Sequence, residues 1–185
     1  MLRIIAGKWR HRKIEFIEAP GLRPSLDRIR ETLFNWLQPH IIEATCLDLF
    51  AGSGILGLEA LSRGASEVVF VDQSVEVIEM ITLQAQKLRA QDFQTSCLQI
   101  PQEADELPKK NYDIIFLDPP YENAHALPEI LESLIQHGYV NEKTLFYVEM
   151  GKDSEFEFSN QIDILKYKKT KHIQYGLVML KNNAA

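Results

Sequence analysis

"TCLDLFAGSGILGLEALSRGASEVVFVD", residues 45–72, decides the fold. An apolar run (45–50) enters a glycine-rich turn. A segment of helical pattern, "ILGLEALSR", follows and is stopped by Gly64, and a second apolar run ends on Asp72. Strand, helix, strand in this order is the unit of a parallel sheet, and strands that are apolar at nearly every position are buried on both faces. Gly52, Gly54 and Gly57 satisfy G-x-G-x-x-G, and Asp72 stands 18 residues beyond Gly54. Glycines let a backbone turn sharply and approach a ligand closely, and a carboxylate at a strand end can accept both hydroxyls of a ribose. The stretch therefore points to a nucleoside-containing cofactor.

The same alternation continues outward. "VEVIEMITLQAQKL" predicts a helix with Ile78, Ile81, Ala85 and Leu88 aligned. "TSCLQI" (95–100), "YDIIFLD" (112–118) and "TLFYVEM" (144–150) predict three further strands, with the helix "ALPEILESLIQHG" between the last two. The tail "IDILKYKKTKHIQYGLVMLK" alternates too evenly for a helix and predicts an antiparallel hairpin at the sheet edge. Upstream, "RPSLDRIRETLFNWL" predicts a helix with Ser25 as its N-cap and Leu33, Phe34 and Trp36 in the core. "RIIAGKWRHRKIEF" predicts a basic β-hairpin. The expected fold is α/β and Rossmann-like: a mostly parallel seven-stranded sheet with an antiparallel C-terminal hairpin, plus the N-terminal hairpin. Two units are expected, an arm over residues 1–20 and a domain over 21–185.

Charge is unevenly spread. The formal net charge is −6, yet residues 1–30 carry eight basic against three acidic side chains. Arg3, Lys8, Arg10, Arg12 and Lys13 form a run without any acid, a candidate surface for nucleic-acid phosphates. A second basic cluster, "KYKKTKH" (166–172), suits either such a surface or a strand edge kept soluble by lysine. Cys46 and Cys97 lack C-x-x-C spacing and are expected as buried free thiols, and no metal site is expected. No apolar run approaches the roughly 20 residues of a membrane span, and the start lacks the apolar block of a secretory signal, so a cytoplasmic protein is expected.

Three observations disfavour a nicotinamide dinucleotide. The chain after Gly54 is short for a second mononucleotide half. Asp48, four residues before Gly52, would repel a pyrophosphate and suit a cation. Hydride transfer has no use for "DPPY" (118–121). S-adenosylmethionine, with one ribose, no phosphate, an ammonium and a sulfonium, meets all three. "DPPY" itself fits methylation of an exocyclic amino group. Such a nitrogen is a poor nucleophile because its lone pair is delocalised into the ring. Asp118 and the carbonyl of Pro119 can accept its two N–H bonds and favour a tetrahedral nitrogen. Pro119 and Pro120 carry no N–H, and Pro120 restricts the residue before it, which fixes that carbonyl in direction. Tyr121 offers a face on which a base swung out of its stack can lie.

"LRPSLDRIRETLFNWL", "LDLFAGSGILGLEALSRGA" and "DIIFLDPPY" together resemble the RsmD family, bacterial small-subunit ribosomal RNA guanine-N2 methyltransferases, over nearly the whole chain. The resemblance implies a class I S-adenosylmethionine-dependent methyltransferase that methylates guanine 966 of 16S rRNA in the small subunit; separately, a monomer is expected. It places Asp48, Phe50, Ala51, Gly52 and Gly54 at the methionine half of the cofactor, Asp72 at the ribose, Gln73 and Ser25 in the same site, and Asp118 to Tyr121 at the target base. Ile100-Pro101 departs from the family pattern near the adenine, leaving backbone groups or Gln99 to recognise it. Two other readings fit some of these residues: an adenine-N6 or cytosine-N4 DNA methyltransferase, and an inactive RNA-binding assembly factor.

Overall fold

A computed structural model describes residues 2–16, 27–120, 125–154 and 162–181. Ser25 and Tyr121 lie outside the described residues. The elements are β1 (Leu2–Arg3), β2 (Lys13–Ile14), α1 (Asp27–Leu37), β3 (Thr45–Asp48), α2 (Ile55–Ser62), β4 (Glu67–Asp72), α3 (Val75–Lys87), β5 (Phe93–Cys97), β6 (Ile114–Leu117), α4 (Leu127–Gln136), β7 (Leu145–Gly151), β8 (Ile162–Lys169) and β9 (Ile173–Leu180). The main sheet has the order β5-β4-β3-β6-β7-β9-β8. Its first five strands pair in parallel, β9 runs antiparallel to β7, and β8 antiparallel to β9. This is the sheet expected from the sequence.

Residue alternation along the strands divides the core into two layers. Cys46, Val68, Phe70, Phe116 and Tyr147 point to the face covered by α1, α2 and α3. Leu47, Val69, Ile115, Phe146 and Val148 point to the face covered by α4. Each fully buried side chain of this size contributes about 1.5–3 kcal/mol. Gly57 of α2 permits a close contact in the first layer: a Cβ there would stand 2.2 Å from Phe70 Cε1 and 2.8 Å from Val68 Cγ1. Only a bare Cα lets the helix lie this near β4.

The N-terminal hairpin is short, with β1 and β2 joined across a turn of 3-10 helix at Gly7–Trp9. It packs into the first layer through Leu2, Ile4 and Ile14. Its backbone is held by α2. Glu59, fully buried in a helix whose other polar side chain is Ser62, accepts the Ile5 N–H at 2.7 Å, the Ala6 N–H at 3.0 Å and Arg63 Nε at 2.7 Å. Ser62 Oγ donates to the Ala6 carbonyl at 2.6 Å and accepts the Trp9 N–H at 3.0 Å.

Several expectations are corrected. β5 spans Phe93–Cys97 instead of 95–100, because its register follows β4 from Val68 to Asp72. Cys97, expected buried, is exposed because it ends the edge strand; Cys46 is buried as expected, and burial pushes its thiol well above the ordinary range. Leu33 and Phe34 are fully buried, whereas Trp36 is only partly covered, its ring 5.6 Å from that of Tyr175. Arg30 is fully buried and paired with Asp27 at 2.6 Å.

Glu59 carries the first prediction. Glu59→Ala removes the acceptor of two backbone N–H groups, so it should cost about 2–4 kcal/mol in urea unfolding and open residues 2–16 to proteases. An unchanged urea midpoint with an intact hairpin would show that apolar contacts alone hold it.

Candidate active site at the carboxyl rim of the sheet

Strand order reverses between β3 and β6, which are hydrogen-bonded neighbours although far apart in sequence. Connections leave in opposite directions from such a pair and open a crevice at the carboxyl ends. Asp48 ends β3 opposite Phe116, and the chain stays paired one step further, Leu49 N–H donating to the Phe116 carbonyl at 3.2 Å. The turn after β3 and the segment after β6 therefore leave the sheet side by side.

The glycine turn is clamped to β4. Ala51 N–H donates to the Val71 carbonyl at 2.8 Å, and Gly52 N–H donates to Asp72 Oδ2 at 2.9 Å. The other oxygen, Asp72 Oδ1, accepts the Ser74 N–H at 3.0 Å, and Ser74 Oγ caps α3 by accepting the Val77 N–H at 3.2 Å. Asp72, expected only as a ribose acceptor, thus also fixes the turn. Each oxygen keeps a second lone pair for a hydroxyl, and the residue is half-buried at the rim. Gly54 has φ +71, and a Cβ there would stand 2.9 Å from Ile81 Cγ1. This glycine serves packing against α3 as well as any approach to a ligand. Phe50 and Gly52 are half-buried, Ala51 is buried and Gln73 is exposed.

Asp48 is buried with Oδ2 accepting the Gly57 N–H at 3.0 Å. Burial pushes its pKa up to about 7, the Gly57 bond opposes the rise, and the negative charge of Asp72 adds to it. Two carboxylates that raise the proton affinity of one of them repel a pyrophosphate and attract a cation. These carboxylate acceptors fit a ribose-bearing cationic ligand, as S-adenosylmethionine is.

On the β6 side, Asp118 is half-buried, Pro119 buried and Pro120 exposed. β6 and β7 pair through Leu117 and Val148, so Asp118 and Glu149 follow on adjacent strands. The Tyr147 hydroxyl donates to Glu149 Oε2 at 2.6 Å. Burial, then the charges of Glu149 and Asp118, hold that phenol well above the usual tyrosine range, so Tyr147 stays a neutral donor. Tyr147 was not singled out from the sequence, although its two-residue spacing from Glu149 in a strand puts both on one face. Near the expected adenine position, the Gln99 N–H is taken by Glu103 Oε2 at 2.7 Å, leaving the exposed Gln99 side chain as that residue's available donor.

The basic residues of the arm are exposed. Lys8 Nζ lies 4.5 Å from the Trp9 ring centroid, and Arg3 is paired with Asp27 at 3.1 Å. Arg10, Arg12 and Lys13 form no ion pair among the described residues.

The buried Asp48 gives a pH prediction. Its folded pKa, about 7, exceeds its unfolded value of about 3.8, so between these limits the native state holds the extra proton. Stability from this group is fully present at low pH and is lost as pH rises through the folded value, by up to about 4 kcal/mol. The stability of ligand-free Asp48→Asn relative to the unsubstituted protein should therefore rise from pH 4 to pH 8 in urea unfolding. A difference that is flat with pH would place the carboxyl in a more polar setting.

The family model described as Conserved hypothetical protein 95 matches residues 2–180. Ribosomal RNA small subunit methyltransferase D of Haemophilus influenzae is 38% identical over 181 residues, covering 95% of this chain and 92% of that protein. The protein of the same name from Escherichia coli K12 is 41% identical over 155 residues, covering 80% and 74% respectively. The solved structure of yhhF from Escherichia coli superposes with a TM-score of 0.87 at 34% identity, covering 97% of this chain and 98% of that one. With this rim and this extent of likeness, the chain belongs to the Conserved hypothetical protein 95 family, that of the ribosomal RNA small subunit methyltransferases D.

Proposed function

We infer that this protein transfers a methyl group from S-adenosylmethionine to the exocyclic N2 of a guanine in 16S rRNA of the small ribosomal subunit, guanine 966 by family likeness. The carrying observation is the juxtaposition across β3 and β6 of a clamped glycine turn and the Asp118-Pro119 segment. Family membership makes ribosomal RNA the substrate class.

In this reading, Asp48 faces the cationic end of the cofactor, Asp72 its ribose, and Phe50, Ala51, Gly52, Gly54, Gln73 and Ser25 complete the cofactor site. S-adenosylmethionine, when bound, supplies the methyl group as an electrophile on sulfur. Asp118 and the Pro119 carbonyl accept the two N–H bonds of the guanine amino group and turn its lone pair toward that methyl. The C–N bond forms as the C–S bond breaks, and the cationic amine then releases its proton, which needs no strong base. Tyr121 stacks on the base. Tyr147 anchors Glu149 beside Asp118, holding the edge of the base pocket. Arg3, Lys8, Arg10, Arg12 and Lys13 bind rRNA phosphates. The protein works as a cytoplasmic monomer without a metal.

Incubation with labelled S-adenosylmethionine and, separately, small subunits, free rRNA and duplex DNA tests this reading. Label should enter guanine N2 of small-subunit rRNA. Label in DNA would favour the amino-methylating DNA enzymes, and no label anywhere would favour an assembly factor.

Two predictions follow from the residue roles. Asp118→Ala should lower turnover by orders of magnitude with cofactor affinity nearly unchanged, because the lost acceptor matters most as the nitrogen becomes tetrahedral; Tyr121→Phe should be mild and Tyr121→Ala severe. Methylation by Asp118→Ala at the normal rate would refute the role of that carboxylate. Replacing Arg10, Arg12 and Lys13 together by Ala should weaken small-subunit binding and flatten its salt dependence by roughly two to three units in log K against log salt. Calorimetry should show unaltered S-adenosylmethionine affinity in that variant.

A further inference from the structure

β8 is the outer strand of the sheet, and its residues beyond Ile162 are exposed. It runs in the same direction as β6 and β7, since it is antiparallel to β9 and β9 is antiparallel to β7. Its C-terminal half and the turn that follows therefore lie at the same rim as Asp118. The basic residues are confined to that half. Ile162, Asp163, Ile164 and Leu165 carry no positive charge, whereas Lys166, Lys168, Lys169 and Lys171 follow within six positions.

A lysine edge whose purpose is to block edge-to-edge strand pairing has no reason to be polarised toward one end. The apolar half contradicts that purpose more directly: Ile164 and Leu165 are exposed there, without any lysine between them. The two faces are also used differently. Lys166 and Lys168 lie opposite Leu177 and Tyr175, which belong to the layer under α1, so both ammonium groups stand on the α1 side. Lys168 Nζ is held 5.9 Å from the ring centroid of the half-buried Trp36, beside Tyr175. Lys152 joins the same rim, its N–H donating to the His172 carbonyl at 3.0 Å, with Asp153 as its ion-pair partner at 3.9 Å. An exposed lysine beside an incompletely covered indole matches a polyanion that carries bases.

Geometry relates this cluster to the reaction. Three strand spacings separate β6 from β8, about 14 Å, which a few nucleotides of RNA can span. The turn of the N-terminal hairpin lies elsewhere: it is held by Glu59 and Ser62, in the half of α2 that runs away from the rim.

We propose that Lys166 and Lys168, on the α1 side with Trp36, and Lys169, on the opposite face of the same exposed edge strand, form a second RNA-binding surface at the catalytic rim, which grips phosphates of the rRNA strand flanking the nucleotide presented to Asp118. This rests on the function proposed above, and it adds to the arm a contact local to the target. The occupant is RNA because the surface is cationic at the rim of a protein whose overall charge is −6.

The experiment uses the full chain, S-adenosylmethionine and small ribosomal subunits lacking the methyl group. Lys166→Ala, Lys168→Ala and Lys169→Ala are combined in one variant, and the same three positions are changed to Arg in a second. The alanine variant should bind subunits about ten-fold or more weakly, with a salt dependence flatter by about two units, as expected for loss of three phosphate contacts on single-stranded RNA. Its KM for subunits should rise, while turnover at saturation and S-adenosylmethionine affinity stay unchanged. The arginine variant should keep the original affinity and slope. Original affinity and slope in the alanine variant would overturn the proposal, as would a loss that arginine does not restore. If the unsubstituted protein neither binds nor methylates small subunits, the functional reading falls and this surface falls with it.

Discussion

β3 is the strand on which the architecture turns. It pairs in parallel with β4 on one side and with β6 on the other, and its residues Cys46, Leu47 and Asp48 are buried. A parallel neighbour can be reached only by a crossover, so the chain leaves β3 through α2 toward β4, and β6 must return from the far side. That constraint separates Asp48 from Asp118 in sequence and joins them in space. It also explains the part played by β4: past Leu49, whose N–H still reaches the Phe116 carbonyl of β6, the turn is held through the Val71 carbonyl and through Asp72, which accepts the Gly52 N–H.

Two buried carboxylates show how differently the same group can be placed in one layer. Glu59 has three donors around it, two backbone N–H groups and the Arg63 guanidinium, and a buried charge so supplied is compensated. Asp48 accepts the Gly57 N–H and faces the charge of Asp72, and burial raises its pKa to about 7. Glu59 is therefore a structural anchor for the hairpin. Asp48 is less fully compensated, which is why the proposed function sets a cation against it. A carboxylate supplied with three donors secures the fold, and one supplied with the Gly57 N–H keeps acceptor capacity for a partner.

The sheet was legible because its signals are periodic. Continuous apolar runs and helices closed by Gly64 and Gly138 survive into the structure, and 162–180 forms the expected hairpin, although its burial is set strand by strand, β8 being exposed beyond Ile162 and β9 buried from Ile173 to Val178. What escaped lies in single side chains whose meaning depends on a distant neighbour. Glu59 stands in an apolar helix, which signals that something must meet its charge, but not that the partners are Ile5 and Ala6, more than fifty positions away. Tyr147 reads as a core aromatic until Glu149 is seen to accept its hydroxyl. Gly54 reads as a residue cleared for a ligand, yet its missing Cβ is also required by Ile81 of the following helix. Cys97 was misplaced because an edge strand presents one side to solvent, and the sequence does not say which strand is the edge.

Charge placement has a physical logic that composition hides. A chain of net charge −6 repels RNA at long range, and at physiological ionic strength that repulsion decays over about 8 Å. Within this distance local patches govern approach. In the function proposed above, Asp72 and Asp118, with Asp48 buried behind them, turn a phosphate backbone away from the rim between β4 and β6 while accepting the N–H and O–H groups of a base or ribose. Cations on the outer strand β8 attract the same backbone to the side. Repulsion at the centre and attraction at the margin together favour one orientation: sugar-phosphate outward along the lysines, base inward toward the acids. An enzyme that methylates an amino group on a base edge needs this polarity, and here it is set by which end of the outer strand carries the lysines.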